Sequence, residues 1–323
     1  VQAGTVLARA QIPAGKPAAP SARVNETQTV LCIIKDNDIN YLMADAGPLH
    51  VEFGKQNGFI TRLVFNGRSQ LLEGSLIRPN FWRAPTDNDF GANLQNRFRA
   101  WLSPHMIFKG FEINGNTIKA TYDMPDLKAS LFMTYLLDAD HGVTITQELK
   151  THASGEEAAG ISPMFRFGIR LTLPRQYDRL TYYGRGPAEN YADRKDASFI
   201  GLYSQSVTEQ FYPYIRPQET GTKSDIRWWE VTDPAGQGLR VTSPQLFSAS
   251  ALHYAVETLD EGPWKRNRHS RNLNPEPFTE CCIDARQMGL GCINSWGAMP
   301  ENAHMLPYGN YSFTVTLGPR IMN

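Results

Sequence analysis

Two polar tracts stand out in this sequence because each places arginine, carboxylates, asparagine and an aromatic ring close together. The first runs from Asn80 to Asp89 and the second from Gly184 to Arg194, and each is broken by Pro or Gly. Pro and Gly restrict the backbone, Asp and Asn bond to their own turns, and Arg can contact a carboxylate or a sugar hydroxyl with two donors. The tracts are therefore either rigid turns held by buried ion pairs or the floor of a polyol-binding site.

In the first tract, three oxygen-bearing side chains follow a bend at Pro85, namely Asp87, Asn88 and Asp89. A calcium loop of the EF-hand type also needs a Gly and a Glu at set positions, which this tract lacks. A structural turn would pair Arg83 with one aspartate, while the other polar groups cap backbone amides. We favour the structural turn, with a sugar contact second and a metal ion third.

In the second tract, Glu189 and Asp193 lie four residues apart between Arg185 and Arg194. Two carboxyl groups roughly 5–5.5 Å apart can serve a retaining glycosidase as acid and nucleophile. Two carboxylates beside two arginines are also the composition of a neutral ion-pair cluster, which is the interpretation we favour. A nucleotide-binding loop is excluded because Pro187 lacks a backbone donor and no Lys-Ser/Thr pair follows.

A third segment, Met288 to Gly297, places Trp296 between a serine and a glycine. An indole offers a flat apolar face on which the C–H face of a sugar ring can stack. The alternative is a buried tryptophan whose N–H finds a partner inside the protein. Composition alone does not choose between these two interpretations.

The bulk composition limits the classes of fold and partner. The 323 residues suffice for one large β domain or two ordinary domains. Lys plus Arg and Asp plus Glu each number 32, so bulk charge favours neither a nucleic acid nor an acidic membrane as partner. No apolar run is long enough to cross a bilayer. The spacing of the cysteines predicts free thiols and no zinc site; they are Cys32, Cys281, Cys282 and Cys292.

The elements that must position these tracts are predicted to be β-strands. Apolar residues alternate with a period of two in Phe165–Leu173, Val143–Leu149 and Tyr311–Leu317. Turn sequences such as Asn66-Gly67 separate such segments, and only 93–102 has a weak helical pattern. The pattern predicts an all-β fold, a large antiparallel β-sandwich, with function concentrated in its long connections.

The first 25 residues have a different character. Val6–Ile12 alternates like a strand, and the Pro/Ala-rich stretch after it is typical of a semi-rigid linker. The start at Val1 is neither a methionine nor a signal peptide. We therefore expect the chain to be a piece of a longer protein.

Five segments, in order, resemble the C-terminal small-chain region (domain 5) of glycoside hydrolase family 2 β-galactosidases. They are Gln56–Ile60, Arg83–Asp89, Gly186–Arg194, Tyr212–Gly221 and Ser295–Gly297. The resemblance runs from about Val51 to Leu317 and implies a galactose-mutarotase-like β-supersandwich over residues 26–323. It further implies that residues 1–25 hold the end of an immunoglobulin-like domain and a Pro/Ala linker.

The resemblance implies that this chain holds no catalytic residue and no metal ligand of its own. In the family, both catalytic glutamates and the ligands of the active-site magnesium lie on a TIM barrel, so Mg²⁺ is expected in that part of the parent. The C-terminal domain covers the barrel mouth and contributes one aromatic residue to the substrate site. Trp296 stands at that place in the motif, and we expect Trp296 and Asn294 to bind the sugar. Cys292 and Ile293 replace the family's usual Gly and acidic residue, which leaves the depth of the sugar subsite open.

The remaining polar residues are expected at the edge of the site or in a structural polar cluster. They are Arg83, Asp87, Asn88, Asp89, Arg185, Glu189, Asp193, Arg194, Glu219 and His253. The expected partners are a β-galactoside or galactose and the barrel and other domains of a homo-oligomeric parent that hydrolyses terminal β-D-galactosides, with no nucleic acid and no membrane. The isolated chain is expected to be inactive.

Two other functions stay open at this point. An aldose 1-epimerase would need an acid and a base, for which His253 and Glu219 are available. A stand-alone carbohydrate-binding module would need only the tryptophan face. The compartment, bacterial cytoplasm or periplasm, also stays open.

Overall fold

The strands of the described chain begin after residue 30. The structure, a computed structural model, describes residues 9–12, 14, 30–291, 293–294 and 297–320. The strands formed by the described residues are β1 (Ile33–Lys35), β2 (Tyr41–Ala46), β3 (Leu49–Gly54), β4 (Ile60–Phe65), β5 (Arg68–Ser69), β6 (Arg78–Asn80), β7 (Ile107–Asn114), β8 (Thr117–Met124), β9 (Ala129–Asp138), β10 (Gly142–Thr151), β11 (Arg166–Pro174), β12 (Arg179–Gly186), β13 (Phe199–Ser206), β14 (Lys223–Thr232), β15 (Gly238–Leu252), β16 (Phe278–Gln287) and β17 (Tyr311–Pro319).

Short helices occupy some of the connections. The α-helices are α1 (Asp87–Gly91), α2 (Leu94–Arg97), α3 (Gly155–Ala159) and α4 (Val256–Leu259). Single 3₁₀ turns lie at Arg99–Trp101, Pro125–Leu127, Thr208–Gln210, Ser270–Asn272 and Asn302–His304. Within the described ranges, no helix has the length and apolar character needed to cross a membrane.

The strands form two antiparallel sheets. The smaller sheet has the order β1-β2-β3-β4-β5, and the main path of the larger one is β13-β12-β14-β15-β17-β10-β9-β8-β7. One edge of β15 pairs with β14 from Gly238 to Ala249. Its other edge is divided, since Leu239–Thr242 pairs with β17 and Ser248–Leu252 pairs with β16. Through β16, the strands β11 and β6 join the larger sheet as a branch. This branch leads into the first tract at β6 and into the third segment at β16.

The two sheets share one hydrophobic core. Phe53 of β3 lies against Phe111 of β7 and Tyr135 of β9, with ring centroids 5.9 and 4.9 Å apart. Apolar residues from both sheets belong to the same buried cluster. The predicted all-β antiparallel supersandwich is therefore confirmed.

The predicted alternation is present in the strands that it named. The apolar face of Phe165–Leu173 is fully buried along β11, and Val143–Leu149 of β10 pairs residue by residue with Tyr311–Leu317 of β17. The helical pattern at 93–102 corresponds to α2 and the 3₁₀ turn after it. The free thiols of Cys32, Cys281 and Cys282 also agree with the sequence, while Cys292 lies outside the described residues.

Helix α1 departs from the expectation of a plain turn in the first tract. Thr86 caps this helix: its hydroxyl accepts from the Asp89 amide at 3.2 Å, and the Asp89 carboxylate accepts from the Thr86 amide at 2.8 Å. Such a reciprocal capping box satisfies two backbone donors at the start of a helix. The sequence signal for this helix start was Thr86 followed three residues later by the acidic Asp89.

Most of residues 1–25 lie outside the described residues. Of this stretch, Gln11 contacts the edge strand β13, where its amide donates to the Ile200 carbonyl at 2.9 Å and accepts from the Ile200 N–H at 2.8 Å. The immunoglobulin-like strand at Val6–Ile12, the Pro/Ala linker and the domain boundary at residue 26 stay predictions.

Candidate functional site

Arg83 is the buried centre of the first tract. Arg83 and Asp89 are 0% and 1% exposed, and the guanidinium binds the carboxylate through two bonds of 3.0 and 2.8 Å. The remaining donors of Arg83 reach the carbonyls of Met288 and Gly289 at 2.6 and 3.1 Å. The ion pair therefore also anchors the beginning of the third segment.

The other two acidic or amide groups of this tract point elsewhere. The Asn88 amide donates to the Leu290 carbonyl at 3.0 Å, which adds another contact to the third segment. Asp87 is half-exposed and accepts from the Lys265 ammonium at 2.7 Å, while its backbone amide donates to Gln218 at 3.0 Å. Asp87 thus belongs to the surface rather than to the buried pair.

Asp193 holds the third segment from the side of the second tract. Its two carboxylate oxygens accept from the backbone amides of Leu290 and Gly291 at 2.9 and 2.8 Å. Successive amides converging on one anion form a backbone nest, helped here by the positive φ of +77° at Gly291. A Cβ at Gly289 would lie 2.5 Å from the Asp193 carboxylate, so a side chain there would displace this carboxylate from its present position. Met288–Gly291 is therefore clamped from two sides.

Glu189 is enclosed by hydrogen-bond donors. Its carboxylate accepts from the Arg194 guanidinium at 2.6 Å, the Thr220 hydroxyl at 3.0 Å and the Gly221 amide at 2.8 Å. The hydroxyl of Tyr214 is a further close donor, and that of Tyr191 lies at 3.5 Å. The side chain is 11% exposed. Glu189 thus joins the second tract to the 212–221 segment.

The second tract does not form the single ion-pair cluster that its composition indicated. Arg185 binds Asp225 at 2.5 Å, and Lys195 binds the same carboxylate at 3.0 Å. Glu189 pairs with Arg194, whereas Asp193 accepts hydrogen bonds from two backbone amides. The two carboxylates that lie four residues apart therefore have separate partners and separate structural tasks.

Sequence reasoning named Glu219 but missed its buried charged neighbours, Arg166 on β11 and Asp284 on β16. Arg166 is 0% exposed and donates to Glu219 at 3.1 Å, with Asp284 3.6 Å from its Nε. Glu219 also accepts from the Thr222 hydroxyl at 2.8 Å. Burial raises the pKa of Asp284 to about 7, although the positive charge of Arg166 acts in the opposite direction. The sequence feature that could have revealed this buried charge is the position of Arg166 between two aromatic residues, Phe165 and Phe167.

His253 is engaged on both ring nitrogens. Nε2 lies 2.9 Å from Asp178, and Nδ1 lies 3.0 Å from the Phe278 carbonyl and 3.1 Å from the Thr279 hydroxyl. Glu219 has a different set of partners. His253 and Glu219 therefore share no hydrogen-bond partner among the described contacts. Among the described residues, no three His, Cys, Asp or Glu side chains are grouped so that they could hold a metal ion.

Ser295 and Trp296 of the third segment lie outside the described residues. Before them in the chain, a Cβ at Gly291 would come within 2.8 Å of the Ala298 carbonyl. After them, a Cβ at Gly297 would come within 2.7 Å of the Gly91 carbonyl at the end of α1. Asn294 accepts from the Ala298 amide at 3.3 Å. The two described ends of this short loop thus lie close to each other and to α1.

The fold and these clamped tracts can be compared with known proteins. The family described as "Beta galactosidase small chain" matches residues 45–317, which include all the tracts. The chain belongs to the beta-galactosidase small-chain family. The resemblance predicted from the five segments is confirmed.

Curated relatives of this small-chain region are named β-galactosidase. The β-galactosidase of Priestia megaterium is 32% identical over 315 residues, 96% of this chain and 28% of the relative. That of Lactobacillus delbrueckii subsp. bulgaricus is 32% identical over 270 residues, 81% of this chain and 25% of the relative. The chain therefore spans about a quarter of the length of these relatives.

Solved structures similar to this small-chain region have low sequence identity. A galactose mutarotase related enzyme from Lactobacillus acidophilus matches with a TM-score of 0.47 and 8% identity, over 90% of this chain and 97% of that one. A 4-alpha-glucanotransferase from Thermococcus litoralis matches with a TM-score of 0.42 and 10% identity, over 89% and 39%. Nothing about activity follows from similarities at this level.

Proposed function

We propose that this chain is the non-catalytic C-terminal region of a retaining β-galactosidase, in which it completes the mouth of the substrate site. The parent would hydrolyse terminal β-D-galactosides with catalytic glutamates and Mg²⁺ held by a barrel elsewhere in its chain. Membership of the small-chain family and relatives named β-galactosidase support this proposal. The barrel, the other domains and a second copy of the parent are the proposed partners.

The observation that carries the non-catalytic role is the engagement of both carboxylates of the second tract. A retaining glycosidase needs one carboxylic acid that can give up a proton and one carboxylate free to attack the sugar. Glu189 instead accepts from Arg194 and from hydroxyl and amide donors, and Asp193 is occupied by two backbone amides. Both groups hold loops in place, which leaves neither free for this chemistry.

The proposed contribution to the substrate site is the face of Trp296, with Asn294 beside it. The clamped base at Met288–Gly291 supports this role, because a contact residue is useful only when its loop has a defined position. In this proposal Arg83, Asp89 and Asp193 shape the site without touching the sugar.

A titration of the chain with a β-galactoside tests the role of Trp296. We expect weak saturable binding that Trp296→Ala weakens about tenfold, since a stacked aromatic face is worth roughly 1.5 kcal/mol. Trp296→Phe should keep most of the affinity because a ring remains.

The matched control is Trp264→Ala, which removes an indole that is 75% exposed at another surface position. This variant should bind the galactoside like the unchanged chain. Equal affinities for the unchanged chain and Trp296→Ala would remove Trp296 from the site.

A further inference from the structure

We propose that a cleft beside the second tract binds a small oxyanion, either free or carried on a sugar. The cleft has a volume of about 150 Å³, smaller than the pockets that hold drug-sized ligands. Its walls come from the second tract, strands β14 and β15, the end of β16 and the 3₁₀ turn at Asn302–His304. The charged side chains in these walls are Lys195, Arg286 and Asp225, and His304 adds a charge when it is protonated.

The single carboxylate of the cleft is already paired. Among the described lining residues only Asp225 is acidic. Arg185 binds its carboxylate at 2.5 Å, and Lys195 lies 3.0 and 3.1 Å from its two oxygens. A bulge in β14, where Asp225 has a left-handed backbone with φ of +51°, sets the direction of this side chain. Because two cations share one carboxylate, Asp225 does not neutralise the rest of the cleft.

The other flank of the cleft carries donors that have no acidic partner. Strand β15 lies between β14 and β16, so Arg286 and Asp225 stand on opposite sides of it. Arg286 donates to the Ala303 carbonyl at 3.2 Å, and no carboxylate of the described chain forms an ion pair with it. The ring of His304 and the hydroxyl of Ser248 also have no hydrogen-bond partner within the described ranges. These groups are therefore available to a ligand.

The excess of donors defines the chemical class of this ligand. Arg and Lys side chains carry donors and no acceptor, so the complementary group must supply acceptor oxygens and negative charge. A phosphate, sulfate or carboxylate supplies both, and a guanidinium can bind two of its oxygens with parallel N–H groups. A neutral sugar would leave the positive charge uncompensated. Leu246, which is 43% exposed in the same cleft, offers an apolar surface that a sugar ring bearing the anion can cover.

Histidine NMR on the full 323-residue chain tests this site. The chain contains seven histidines, so isotopic labelling of their rings gives a small set of resonances, and His304→Gln assigns that of His304. We expect inorganic phosphate, exchanged for chloride at constant pH and ionic strength, to shift the His304 resonance saturably. Arg286→Met should weaken this binding about tenfold, because a charge-assisted hydrogen bond is lost.

Two further variants make this test decisive. Arg286→Lys keeps the positive charge but loses the two-pronged contact, so its affinity for phosphate should lie between those of the unchanged chain and Arg286→Met. Arg62→Met removes an arginine that is 55% exposed outside the cleft, and it should bind phosphate like the unchanged chain. A His304 resonance that phosphate does not shift, or equal affinities for Arg286→Met and the unchanged chain, would overturn the proposal.

Titrations with acetate, D-galacturonate and D-galactose distinguish the two sources of the oxyanion. Tighter binding of galacturonate than of acetate supports an oxyanion carried on a sugar, whereas equal affinities support a free oxyanion. Neutral galactose should leave the His304 resonance unchanged. A saturable shift by galactose as large as that by galacturonate would show that negative charge is not what the cleft recognises, which contradicts the proposal.

Discussion

Arg83→Met is expected to lower the free energy of unfolding by about 3–5 kcal/mol, because it leaves a buried carboxylate without its counter-charge. Asp89 is 1% exposed and would keep only the backbone amide of Thr86 as a close donor at 2.8 Å. The carbonyls of Met288 and Gly289 would lose their donor as well. Denaturation by urea at neutral pH measures the effect.

Arg62→Met is the matched control for this prediction. Arg62 pairs with Glu52 at 3.2 Å, but its side chain is 55% exposed, so the same substitution should cost less than about 1 kcal/mol. The double variant Arg83→Met with Asp89→Asn should recover part of the loss, since no uncompensated charge stays buried. Equal destabilisation by the Arg62 and Arg83 variants would show that the buried pair does not hold the tract.

Asp284→Asn is expected to change the pH dependence of stability. Burial raises the pKa of Asp284 from an ordinary 3.8 to about 7, so the folded protein retains a proton that the unfolded chain loses. The stability from this protonated carboxyl is fully present below pH 3.8 and is lost as pH rises towards 7. Asparagine stays neutral throughout and lacks this dependence.

The measurement is the difference in unfolding free energy between Asp284→Asn and the unchanged chain. From pH 4 to pH 7, the unfolding free energy of Asp284→Asn should rise relative to that of the unchanged chain by at most roughly 4 kcal/mol. A difference that does not change with pH would show that Asp284 is ionised throughout this range, as a full partner of Arg166.

Asp45→Asn is the control, because its effect on stability should change with pH in the opposite direction. Although burial acts against it, hydrogen bonds from Lys35 and His50 lower the pKa of Asp45. The stability that Asp45 contributes is present above pH 3.8 and is lost as pH falls through its lower pKa in the folded state. The two variants should therefore diverge from the unchanged chain in opposite directions as pH changes.

The strands were predictable because one face of each strand must be buried. Ile169, Leu171 and Leu173 are buried along β11, whereas Arg170 and Thr172 between them are partly exposed, and this period of two is visible in the sequence. Family membership was predictable for another reason. A short segment such as Arg83–Asp89 can be recognised in the sequence by itself, even though the residues that it contacts are far away along the chain.

The partners of the polar residues were not predictable from spacing. Arg83 meets Met288, and Asp193 meets Leu290, across about 205 and 97 residues of sequence. Glu189 and Asp193 looked like a pair because they are neighbours in sequence, yet tertiary contacts divide them between different loops. Arg166 is not part of a recognisable sequence motif. Its role depends on Glu219 and Asp284, which are distant in sequence and lie beside it only in the folded chain.

The proposal that this region is non-catalytic is tested most directly by hydrolysis of a nitrophenyl β-galactoside by the purified chain, with and without Mg²⁺. We expect no release of nitrophenol above that of the Glu189→Gln variant, because Glu189 and Asp193 are both occupied as structural acceptors. Turnover by the unchanged chain that disappears in Glu189→Gln would contradict the account and return catalysis to the second tract.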